Sequence, residues 1–69
     1  MAIEKLIEKN GKAEGTLLGV DGNAFAIIGY TERQLKRAQW PREDIKQVTD
    51  LAMSADYNNV IATCMSVLE

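Results

Sequence analysis

Sixty-nine residues make one small domain, residues 1–69, and a chain this short buries only about 60% of the surface its unfolded form exposes. Apolar residues at 46% and charged residues at 26% are ordinary globular values that exclude a disordered or low-complexity polymer. One cysteine and no histidine exclude an internal disulfide and the usual ligand sets of zinc, haem and iron–sulfur centres, and a net charge of −2 gives no global field for nucleic acid or anionic lipid.

A thin core without disulfide or metal points to oligomerisation as the remaining compensation, and no cofactor is expected. No apolar run approaches the ~20 residues of a membrane span. The start Met1-Ala2-Ile3-Glu4-Lys5 lacks a basic stretch ahead of an apolar core. The expectation is a soluble, cytoplasmic protein without a secretory signal. Charge is uneven along the chain. Residues 23–46 hold five basic residues against three acidic ones, and residues 47–69 hold three acids and no base.

Ile3, Leu6 and Ile7, interleaved with Glu4, Lys5, Glu8 and Lys9, fit a short helix ending at Asn10-Gly11. Asn-Gly is also a two-residue hairpin turn, so the N-terminal segment is a short β-hairpin or a helix. Thr16-Leu17-Leu18 and Val20, set between Gly15 and Gly19, read as a short strand. Its partner would be residues 3–9 or another copy of the chain.

The rest predicts a mainly α fold of three consecutive helices, at about 23–38, 41–54 and 57–68. Asn23 is the N-cap of the first, with Asp21 adding negative charge near its start. Ala24, Ile28, Thr31, Leu35 and Ala38 form its inner stripe, widened by Phe25 and Ile27, so Phe25 is expected to drive the first turn into the core. Gly29 costs about 1 kcal/mol relative to alanine, which close approach of a neighbouring backbone would justify. Glu32 is set to pair with Lys36. Pro41 fits the first position of the second helix, whose inner stripe is Ile45, Val48, Ala52 and Ala55. Trp40 is placed to cover the corner between the two helices. Ser54 or Asp56 caps the third helix, on which Tyr57, Val60, Ile61, Cys64, Val67 and Leu68 repeat at helical spacing.

Catalytic chemistry finds little here. Without histidine there is no Ser–His or Cys–His pair, and Cys64 sits on an apolar helix face, where a thiol is a small hydrophobe. Asp21-Gly22-Asn23 opens like a calcium loop, but Ala24, Phe25, Ala26 and Ile27 supply no further oxygen ligands. Gly19-Val20-Asp21-Gly22 superficially resembles the Gly-x-x-Gly loop of KH RNA-binding domains. It departs from that loop in the acidic Asp21 and in the helices that follow.

Two surfaces remain. Arg33, Lys36 and Arg37 share a helical face, Arg42 and Lys46 lie one turn apart on the next helix, and Trp40 could stack on a base, which together make a candidate nucleic-acid or partner surface. Ile61, Met65 and Leu68 form a candidate self-association strip.

The segment Asp21-Gly22-Asn23-Ala24-Phe25, followed by Gly29, a basic helix and Ser54-Ala55-Asp56-Tyr57, resembles a family of small uncharacterised bacterial and phage-type proteins. That family carries a Ser-Gly-Asp-Tyr-like motif where this chain has Ala55. The resemblance implies a recurrent small module and supplies no activity and no site residues. The functional expectation is noncatalytic protein–protein interaction, through a homodimer or an unidentified protein partner. The alternative is a nucleic-acid-binding accessory protein.

Overall fold

The computed structural model describes residues 2–69, in four helices: α1 (Ala2–Asn10), α2 (Ala24–Arg37), α3 (Arg42–Ala52) and α4 (Tyr57–Val67). The mainly helical reading holds. Of the two forms open to the N-terminal segment, the helix forms and the hairpin does not, so α1 precedes the three consecutive helices and there are four in all. Among the described residues no strand forms. The stretch read as one contributes a single parallel bridge, Ala13 to Leu68.

Helix α1 ends where Gly11 takes φ 77° and its N–H donates to the Ile7 carbonyl at 2.7 Å. Left-handed backbone suits glycine, which has no Cβ to clash, and Gly11 ends the helix. Ile3 and Leu6, three residues apart, are both buried, which one helix face allows and a strand, with alternating faces, does not. Beyond it the chain runs alongside the C-terminus. The Ala13 N–H donates to the Val67 carbonyl at 2.8 Å, Glu69 returns a bond to Ala13 at 2.9 Å, and Gly15 donates to Glu69 at 3.1 Å. Gly15 then passes over Tyr30. A Cβ at Gly15 would stand 2.7 Å from the tyrosine Oη, which itself accepts from the Thr16 N–H at 3.2 Å.

Asn23 caps α2 as expected, its side chain accepting from the Phe25 N–H at 2.8 Å, while Asp21 accepts from the Asn23 N–H at 2.9 Å. Ile27, Ile28, Thr31 and Leu35 are its buried residues. Its C-terminus is a Schellman motif. The Trp40 N–H reaches back to the Leu35 carbonyl and the Gln39 N–H to that of Lys36, both at 3.0 Å, with Gln39 at φ 66°. The motif turns the chain sharply enough to drop Trp40, 4% exposed, into the same cluster as Leu35.

Pro41 is the residue before α3 and not its first helical residue. Its carbonyl accepts from Asp44 and Ile45. Helix α3 ends at Ala52, short of the expected residue 54, and the Asn59 side-chain amide caps it by donating to the Leu51 and Ala52 carbonyls at 2.7 and 3.1 Å. Ala55 is consequently outside the helix and exposed. Asp56 caps α4 by accepting from the Asn59 N–H at 3.0 Å.

The core has two connected parts. Ile3, Leu6, Ala13, Leu35, Trp40, Ile45, Val48, Val67 and Leu68 form the first, where α1 and the C-terminus meet the α2–α3 corner. Ile27, Ile28, Ala52, Val60 and Cys64 form the second, between α2 and α4.

Asp44 on α3 is buried, and α1 neutralises it. Lys9 Nζ lies 2.9 Å and Asn10 Nδ2 3.0 Å from its Oδ2. The hydrogen bonds from Asn10 and then Lys9 hold this carboxyl below the ordinary carboxylate value, against the opposing effect of burial. The ion pair expected between Glu32 and Lys36 does not form. The pair at that spacing is Lys46–Asp50, at 3.2 Å on α3.

Two predictions follow from these contacts. Gln39→Gly relieves a left-handed side-chain residue and should stabilise the protein by about 1 kcal/mol in urea unfolding. A carboxyl lowered in the folded state stabilises above its unfolded value near 4 and loses that contribution as pH falls through its folded value. The wild-type melting temperature should therefore drop on acidification below about pH 4, and Asp44→Asn should flatten that dependence.

Candidate interaction surface

The loop between α1 and α2 is tied down at several points. Leu17 packs against both parts of the core, and its carbonyl accepts from the Val20 N–H at 3.1 Å. Thr16 Oγ1 accepts from the Leu18 N–H at 3.2 Å, and the Tyr57 hydroxyl donates to the Gly22 carbonyl. With Leu17 turned inward, Leu18 is 87% exposed.

Phe25 is 80% exposed, which corrects the expectation that it enters the core. The buried face of α2 is centred on Ile27, Ile28, Thr31 and Leu35. At about 100° per residue, Phe25 lies roughly a quarter turn from the centre of that face, on its flank. Its neighbour one turn on, Gly29, also departs from expectation. No backbone approaches it, and a Cβ there would meet nothing within 4 Å.

Leu18, Phe25, Gly29 and Arg33 line one side of the molecule around a depression of about 590 Å³, with Asp21 and Tyr30 at its margin. Leu18 also borders a second depression of about 450 Å³, shared with Met65 and Leu68. The exposed apolar side chains Phe25, Leu18 and Met65 therefore flank two adjoining hollows on either side of the fastened loop.

The structure divides the predicted basic surface. Arg33 belongs to the Phe25 depression. Lys36 and Arg42 flank a different hollow of about 570 Å³ between α2 and α3, and Arg37 faces Lys12 and Glu14. All four basic side chains are exposed. Trp40 is not available for base stacking, because its ring is core and its indole N–H donates to the Gly11 carbonyl at 3.1 Å.

The predicted self-association strip is broken in the same way. Met65 is 58% exposed, Ile61 is half-buried against the second core part, and Leu68 is buried at 7% because the Ala13 bridge pulls the C-terminus inward. Leu18 and Phe25 were missed as surface residues. Phe25 sits on the flank of the α2 stripe, where helical spacing alone does not separate core from solvent.

Cys64 is 1% exposed, and burial pushes its thiol pKa up, with the neighbouring Thr31 hydroxyl acting in the opposite direction. Among the described residues no group of three or more histidine, cysteine, aspartate or glutamate side chains is arranged to hold a metal ion. Among the described residues no helix is long and apolar enough to cross a membrane. No protein-family model, curated protein or solved structure matches the chain.

The placement of α2 fixes an asymmetry that mutation can read. Phe25→Ser, on the solvent face, should change unfolding free energy by no more than about 0.5 kcal/mol, whereas Ile28→Ala on the buried face should cost about 2–5 kcal/mol. Urea denaturation of the two variants checks the assignment.

Proposed function

We propose that the protein is a noncatalytic interaction module that engages another polypeptide through the surface formed by Leu18, Phe25 and Met65. The observation that supports this reading best is the exposure of Leu18 at 87% and Phe25 at 80% on backbone that is held in place. Asn23, Thr16 and the Tyr57–Gly22 bond fix the segment that carries them. A pre-ordered apolar surface loses little conformational entropy on binding, so its burial contributes more fully to affinity.

The nucleic-acid reading persists in a narrower form. Phe25 and Arg33, two turns apart on one depression, offer an aromatic face and a cation, while Lys36, Arg37 and Arg42 lie in other depressions. The acidic residues interspersed among them and the net charge of −2 favour the protein partner.

A photo-crosslinking amino acid placed at position 25 in cells producing the protein distinguishes the readings. Covalent adducts with polypeptide, absent when the same group is placed at exposed Gln47, are the expected result. Adducts with nucleic acid alone, or none at position 25, would remove the proposal.

A further inference from the structure

The Phe25 side of α2 carries complementary groups at its two ends. Phe25 and Arg33 stand at equal sequence distances before and after Gly29. Phe25, Gly29 and Arg33 line the same depression. If a second α2 is laid across the first in the opposite direction, with Gly29 against Gly29, each Phe25 ring meets the partner's Arg33. A guanidinium over an aromatic face is attractive. Parallel pairing would set Arg33 against Arg33, which is repulsive.

Gly29 gives this arrangement its centre. Nothing in the chain's own fold occupies the space where its Cβ would be, so packing within the monomer does not explain a helix-interior glycine that costs stability relative to alanine. Contact with a second backbone does, because absence of a side chain lets two helices approach closely.

We infer that a second copy of this chain is the occupant of the surface, in a two-fold symmetric dimer whose α2 helices pack antiparallel across Gly29. The inference rests on the interaction reading above and names its partner. A two-fold axis requires one patch to be complementary to itself, which the Phe25/Arg33 arrangement satisfies. Helix α2 has 14 residues, roughly 21 Å at 1.5 Å per residue. A contact of that length falls short of the ~800 Å² per partner of a standard stable interface, so the dimer forms and dissociates with concentration.

Sedimentation equilibrium over a wide concentration range tests it. The wild type should show a reversible monomer–dimer equilibrium. Gly29→Leu should weaken dimerisation by roughly tenfold or more, since the added side chain separates the helices. Its monomer should melt no lower than wild type, because the site has free space and a helical residue replaces glycine. Arg33→Glu should also weaken the dimer. Gly29→Cys should oxidise to a linked dimer, while Gln47→Cys should not.

A protein that stays monomeric throughout, or a dimer indifferent to both Gly29→Leu and Arg33→Glu, overturns the inference. If the position-25 crosslinker then captures only other polypeptides, the dimer is rejected and the broader interaction reading stands. If it captures no polypeptide, both are rejected.

Discussion

The burial of one indole organises the protein. Trp40 can enter the core only if the chain reverses within two residues of α2 and if the N–H it carries finds an acceptor. The Schellman turn at Gln39 meets the first requirement at the cost of a left-handed side-chain residue. The Gly11 carbonyl, presented by the end of α1, meets the second. Around that ring gather Ile3 and Leu6 from α1, Leu35 from α2, Ile45 and Val48 from α3, and Val67 and Leu68 from the C-terminus. In a chain this short, few other side chains have the area to join four helices. The Lys9–Asn10–Asp44 cluster fastens the same α1 end to α3 from the polar side.

Fixing the loop between α1 and α2 has a second result. Leu17 is drawn in and Gly15 lies against Tyr30, so the intervening backbone cannot fold Leu18 back onto the core. Helix α2 begins at the Asn23 cap with its inner face already assigned to Ile27, Ile28, Thr31 and Leu35, and that leaves Phe25 outside. The apolar surface is therefore a product of how the core closes, and it sits on some of the best-fastened backbone in the loop.

Local signals made much of this legible. The Asn23 and Asp56 caps, the periodic stripes of α2 to α4 and the buried Cys64 are properties of neighbouring residues, which a sequence displays directly. What the sequence hid depends on residues far apart in the chain. Nothing near Asn10-Gly11 says that Trp40 will take the Gly11 carbonyl as its acceptor. Nothing near Leu68 says that Ala13 will draw it inward and break the Ile61–Met65–Leu68 strip. Asp44 stands in the acidic first turn of α3, and only α1 packing makes it a buried partner of Lys9 and Asn10. Trp40 covers the α2–α3 corner as its position implies but is too deeply buried to stack on a base, and Phe25, on the flank of the α2 stripe, goes to solvent and not to the core.

The Ala13–Leu68 bridge also bears on the order in which the protein assembles. Helices α2, α3 and α4 are joined by short turns, so their packing closes small loops. The bridge closes nearly the whole chain, and the entropy lost in closing a loop grows with its length. Contacts of that kind are rewarded only after the intervening segments have condensed. Loop-closure entropy therefore favours docking of the N-terminal arm after α2, α3 and α4 have packed, and with it the fixing of Leu68 and Glu69.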